Sequence, residues 1–158
     1  ALANGLRMNL GVTQMENTKT EDDVTTRIEF SEKFSGTWTV SYEIKPIHLN
    51  IAYTGNVYSP MKLALAGDDD PRPQYSPWFS LQNIMFTYEG IKNWEIYAGV
   101  KNLLDWTPAK NLPFLISRAE DPFDNRGVPN PYGLEFSPDY IYAPNQGIRG
   151  MLGFRFKF

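Results

Sequence analysis

The sequence contains no cysteine and a single histidine, His48. Without thiols there is no disulfide framework and no thiolate metal site, and one imidazole excludes any centre needing two from this chain. No stretch approaches the roughly 18 apolar residues of a membrane-crossing helix. No segment keeps an apolar period of 3.6, and no internal repeat extends beyond hairpins. The net charge is only −3, with Lys and Arg scattered along the chain, so nothing points to nucleic acid. The G-x-S-x-G elbow, the H-E-x-x-H helix and glycine-rich phosphate loops are missing too. An enzyme is therefore not expected, nor a cofactor. Nor is a secretory leader expected within these residues. The chain starts inside a strand-like stretch, which is expected of a mature piece or a fragment.

Aromatic residues and period-two alternation are what the sequence has in quantity. Nine Tyr, ten Phe and four Trp occur in 158 residues. From Ile148 to Phe158, even positions read Ile, Gly, Leu, Phe, Phe, Phe and odd positions read Arg, Met, Gly, Arg, Lys. Such alternation is a strand with one apolar face. Its length is about that of a tilted membrane strand. A soluble strand would turn the apolar face to a core. A membrane barrel strand would turn it to lipid and send Arg149, Arg155 and Lys157 into a wet lumen.

The same alternation marks six strands, near 2–14, 36–45, 47–58, 78–89, 94–104 and 147–158. In the fourth, Phe79 and Leu81 are out of phase with Ile84, Phe86 and Tyr88, so a β-bulge near Gln82-Asn83 is expected. Between the strands the connections run long, short, long, short, long. The long ones are 16–34, 60–77 and 106–146, and the region from Asp105 to Gln146 holds seven of the twelve prolines. The first is expected to be a solvated loop. All long loops then lie at one end of an up-and-down sheet. Aromatics flank an apolar band: Tyr42, Tyr88, Trp94, Phe156 and Phe158 near the short turns, Trp38, Trp78 and Trp106 near the long loops. These are the features of an outer-membrane barrel with aromatic girdles. The expected fold is all-β, an antiparallel up-and-down transmembrane β-barrel segment. Six strands are too few to close such a barrel, and an open edge is untenable in lipid. Residues 1–158 are thus expected to be one portion of a larger barrel, or to pair with another chain.

Gly99-Val100-Lys101-Asn102-Leu103-Leu104-Asp105 resembles a stretch near the end of TonB-dependent outer-membrane receptors, and Gly153-Phe154-Arg155-Phe156-Lys157-Phe158 resembles their C-terminal strand. The stretches 53–61 and 140–147 are similar to receptors of the Bacteroidetes type, in the branch importing cobalamin, siderophores or haem. The resemblance covers essentially the whole chain, as the last six strands of a barrel of about 22. It implies energised uptake of a large nutrient and location in the bacterial outer membrane. It also implies partners: outer-membrane lipid, the remaining barrel and plug domain, TonB acting through the plug, the barrel-assembly machinery and a surface lipoprotein. Leu152, Phe154, Phe156 and Phe158 would form the assembly signal. The plug and TonB box have no counterpart in these residues. A second reading is a soluble β-sheet binding or structural module, or a subunit completing another chain's barrel.

Candidate site residues follow from facing and loop composition. His48, Asn50, Glu95, Lys101, Arg149, Arg155 and Lys157 fall on the polar face and are expected to meet lumen water or the plug. An Arg or Lys turned to lipid costs about 2–4 kcal/mol at mid-bilayer. Trp106, Phe114, Tyr132, Tyr140 and Tyr142 in the last loop are candidates for ligand contact, because rings give contact area at small entropic cost. The alternative is a self-packed lid. Asp68, Asp69 and Asp70 have the oxygen ligands calcium prefers, with a solvated loop tip as the alternative.

Overall fold

A computed structural model describes residues 5–64, 73–111, 115–117, 134–136 and 141–158. Its strands are β1 (Leu6–Gln14), β2 (Thr18–Glu21), β3 (Val24–Arg27), β4 (Phe34–Ile44), β5 (Leu49–Tyr58), β6 (Phe79–Ile91), β7 (Trp94–Lys101), β8 (Leu115–Ser117), β9 (Leu134–Phe136) and β10 (Arg149–Phe156). Six of them form one antiparallel sheet in the order β1-β4-β5-β6-β7-β10. Each long strand therefore lies beside the next long strand in sequence, the up-and-down arrangement. The sheet is not closed: β1 and β10 are its two edges.

Cross-strand register carries one apolar face across the whole sheet. Leu10 pairs with Trp38 and Met8 with Val40; Val40 pairs with Tyr53 and Tyr42 with Ile51. Ile51 pairs with Phe86 and Tyr53 with Ile84, and the row continues through Ile84–Val100 and Phe86–Ala98 to Leu152 and Phe154 on β10. Among the described residues no second layer covers this face. Leu152 is 79% exposed and Phe154 71%, while Ile96 beside them is 37% exposed. These three are neighbours in one sheet rather than partners across a sandwich. The polar groups near its loop end satisfy one another: Tyr53 donates its hydroxyl to Gln82 Oε1 at 2.6 Å, and Gln82 donates to Ser80 Oγ at 3.2 Å. The opposite face carries Thr37, Thr39, Thr54, Asn56, Asn83 and the charged residues.

Connections alternate in length. β4 and β5 are joined by a 3-10 turn, Lys45–Ile47, with Pro46 inside it. His48 closes that turn in a left-handed conformation, φ 51°, so it sits at the turn and not on the polar face of a strand as the alternation implied. β6 and β7 are joined through Lys92 and Asn93, the latter at φ 65°. The connection from β1 to β4 is not a plain loop. It contains the β2–β3 hairpin, turned by Asp22 and Asp23 at φ 49° and 61°. Paired positive φ values are what a tight hairpin turn requires, and Asp tolerates them. The last connection likewise contains the short β8–β9 pair and a helical turn at Pro108–Asn111.

β6 corrects one expectation. Its register with β5 runs unbroken from Tyr58–Phe79 to Leu49–Tyr88, and the irregularity falls between Tyr88 and Ile91. No bulge occurs at Gln82-Asn83. Phe79 and Leu81 lie on the polar face because an apolar cluster awaits them at its loop end. β7 likewise ends at Lys101 rather than reaching Leu104, because Asn102 takes φ 54° and leaves the ladder.

Candidate functional site

The described core of the chain is small and lies at the loop end of the polar face. Met61, Leu63, Phe79, Tyr142 and Ala143 are buried there, with Tyr58, Leu81 and Trp106 packed against them. Phe79 stacks between Tyr58 (centroids 4.9 Å) and Trp106 (5.8 Å, planes 9° apart), and Tyr142 meets it edge-on at 5.6 Å. Such aromatic pairs contribute about 0.5–1.5 kcal/mol beyond area burial. Trp106 therefore points into this cluster rather than joining an outer girdle. Its indole N–H is buried without a partner among the described residues.

Asn102 and Asp105 bind the two feet of the longest loop together. Asn102 Nδ2 donates to the carbonyls of Trp106 (2.7 Å) and Gln146 (2.9 Å), and its Oδ1 accepts from the Trp106 N–H at 3.0 Å. Asp105 Oδ1 accepts from the Ile148 N–H at 2.8 Å, and its other oxygen pairs with Lys110. The Lys110 ammonium, and then the Ile148 amide, hold the Asp105 carboxyl below the usual carboxylate range.

The earlier long loops are tied to each other. Arg27 donates to the Ser31 and Pro60 carbonyls at 2.6 and 3.1 Å and lies over the Tyr75 ring. The Phe30 N–H donates to the Lys62 carbonyl at 2.9 Å, and Ser59 Oγ accepts from the Lys33 and Phe34 amides. The 59–64 segment then enters the aromatic cluster through Met61 and Leu63. Three successive connections thus share one support.

At the turn end of the polar face, charges meet in pairs. Arg155 Nη1 lies 3.0 Å from one Glu95 oxygen and 3.3 Å from the other. Lys157 reaches Glu89 and Glu95, each at 3.3 Å. The Lys157 N–H also donates to the Asn93 carbonyl at 2.8 Å. Belt aromatics gather on the opposite face of this end: Trp94 contacts Phe154 at 5.6 Å and Phe156 at 5.0 Å, and Phe156 meets Phe158 at 5.3 Å.

This geometry separates the sequence candidates. Glu95, Arg155 and Lys157 are brought together. Lys101 and Arg149 are direct cross-strand partners. Asn50 lies on β5 near the turn, between Glu43 and Thr87 in register, and His48 is in the turn itself. Trp106 and Tyr142 share the aromatic cluster, and Tyr142, at 8% exposure, supports the loop from beneath. Phe114, Tyr132, Tyr140, Asp68, Asp69 and Asp70 lie outside the described residues. Among the described residues no group of acidic or histidine side chains is arranged to hold a metal. Asn102 and Phe79 are not among the residues that facing and loop composition select. Their signals were an Asn between the strand and Leu-Leu-Asp, and the phase break in β6.

Solved structures share this sheet. A point mutant of the ferric enterobactin receptor from Pseudomonas aeruginosa matches 97% of the chain at 17% identity, with a TM-score of 0.58. A second mutant of that receptor, in complex with enterobactin, matches 97% at 16% identity, with a TM-score of 0.56. The chain has the fold of an outer-membrane receptor's barrel wall. It spans 20% of the length of those receptor chains. No family model matches the sequence, and no curated protein matches it.

Proposed function

We propose that the chain is wall and outer loops of a TonB-dependent receptor in the bacterial outer membrane, which takes up a large nutrient by energised transport. The observation that carries this is the continuous apolar face from Leu10 to Phe154, left uncovered while the small described core forms on the other side. A soluble sheet buries that face, because apolar burial is the main drive to fold. Lipid removes the need. The likeness to ferric enterobactin receptors favours a ferric siderophore as the cargo over cobalamin or haem. The resemblance of 53–61 and 140–147 favours the Bacteroidetes branch.

In this reading the long loops form the vestibule. Trp106 and Tyr142 anchor the loop base, and Phe114, Tyr132 and Tyr140 supply contact surface for the ligand. The polar face meets the plug and lumen water, and TonB acts through the plug. The barrel-assembly machinery reads Leu152, Phe154, Phe156 and Phe158. A surface lipoprotein covers the vestibule. Asp68, Asp69 and Asp70 offer the carboxylate oxygens that calcium takes. The protein performs no bond chemistry of its own.

Growth tests this. Cells lacking the gene are supplied with iron only as a ferric siderophore or as haem, or with cobalamin as the sole source of that vitamin. Loss of growth on a ferric siderophore, restored by the intact gene, is the expected result. Unchanged growth on all three nutrients contradicts the reading.

A further inference from the structure

Lys101 and Arg149 face each other directly across β7 and β10, on the polar face and close to the loop end. Like charges in directly opposed positions repel and weaken a sheet. Elsewhere on these two strands cations are neutralised: Arg155 and Lys157 share Glu95, and Lys157 also reaches Glu89. Among the described residues neither Lys101 nor Arg149 has a carboxylate within ion-pair distance. The nearest acid in sequence, Asp105, is already committed to Lys110 and the Ile148 amide.

On the Lys101 side of this pair lies a hollow of about 200 Å³. Thr54, Asn83 and Lys101 are its polar lining residues, and Ala52, Met85 and Met151 are among its apolar ones. Asn83 donates to Thr54 Oγ1 at 3.3 Å and accepts the Asn102 N–H at 3.1 Å, so its amide is held in place. Hydroxyl and amide donors next to two uncompensated cations suit anionic oxygens, which accept charge-assisted hydrogen bonds.

We propose that Lys101 and Arg149, with Asn83 and Thr54, form an anion-binding site on the interior wall, for carboxylate, phosphate or phenolate-type oxygens. The oxygens come either from a solute passing through the lumen or from a carboxylate of the receptor's own interior. The proposal rests on the reading of this face as a lumen wall. It goes further by assigning the sign and chemistry of what that wall holds.

Melting temperature of the full-length protein in detergent tests it, for the natural sequence and for Lys101→Gln and Arg149→Gln, with inorganic phosphate or citrate against sodium chloride at matched ionic strength. A protein stabilised by either probe, with the shift lost in both variants, supports a solute site. At probe concentrations about ten times Kd the stabilisation corresponds to roughly a tenfold shift in the folding equilibrium. Variants that melt lower than the natural sequence without any probe support an internal carboxylate on the same pair. Variants that melt no lower than the natural sequence, together with a natural sequence insensitive to both probes, overturn the site, since relief of repulsion is then the whole effect. A reversed facing of Leu152 and Met151 would remove the lumen itself. Normal facing with no anion effect removes only this site.

Discussion

The Asn102 side-chain amide donates to the Gln146 carbonyl at 2.9 Å, joining positions 44 residues apart. With its two bonds to the Trp106 backbone, it makes the entry and exit of the longest loop one structural unit. Asn is suited to this position twice over. Its short amide bridges donors and acceptors, and it tolerates the left-handed φ of 54°.

Replacing Asn102 by Ala should therefore loosen the loop feet by about 1–3 kcal/mol, from lost hydrogen bonds and unsatisfied backbone groups. Limited proteolysis of the folded protein checks it: cleavage between 106 and 146 should rise while the strands stay protected. Asn102→Gly keeps the backbone angle and loses the bonds, so it should be cleaved nearly as fast.

Two glycines on one strand should behave differently. A Cβ on Gly153 would fall 2.4 Å from the Tyr97 ring, whereas a Cβ on Gly150 meets nothing within 4 Å. Gly153→Val should cost about 1–3 kcal/mol by forcing Tyr97 aside. Gly150→Val should be nearly neutral, since it extends the apolar face. Denaturant unfolding of the two variants compares them directly.

Glu95 should matter more than either cation it holds. Its side chain is 13% exposed, against 65% for Arg155. Removing Glu95 leaves Arg155 with no carboxylate and costs Lys157 one of its two. Removing Arg155 leaves Glu95 with Lys157. Because the cations are exposed, the whole effect should be modest, about 1 kcal/mol or less, and smaller still at high salt. Unfolding of Glu95→Ala and Arg155→Ala at low and high salt measures it.

Acid should release the loop before the sheet. Asp105 has a carboxyl pKa held below its ordinary 3.8 by Lys110 and the Ile148 amide. A depressed folded-state value means the stabilisation is present in full above 3.8 and is lost as pH falls through the lower, folded value. Amide exchange at Ile148 should accelerate in that window in the natural sequence. In Asp105→Asn it should be faster at neutral pH and show little further change.

Strand alternation was readable wherever a strand's apolar side chains all face one way, as in β1, β4, β5, β7 and β10. It misled in β6, because Phe79 and Leu81 serve a local aromatic cluster and not the outer face. The phase break is the one sign of that cluster in the sequence, and its meaning appears only when Met61, Trp106 and Tyr142 are brought together from distant loops. His48 kept the parity of a strand while belonging to a turn, since Pro46 moves the strand start to Leu49. The Gly99–Asp105 motif was visible, but the role of Asn102 was not: it depends on Gln146, far along the chain.

The central claim is sidedness, and a single pair of variants tests it most directly. Leu152 and Met151 are adjacent on β10 and point to opposite faces. The full-length protein carrying Leu152→Arg or Met151→Arg is expressed, and folded barrel in the outer membrane is read by the gel shift between unheated and boiled samples. An Arg facing lipid at mid-bilayer costs about 2–4 kcal/mol, whereas one facing the interior meets water. Leu152→Arg should lose most of the heat-modifiable form, and Met151→Arg should retain it. Equal tolerance of the two, or the reverse order, would contradict the membrane-wall reading.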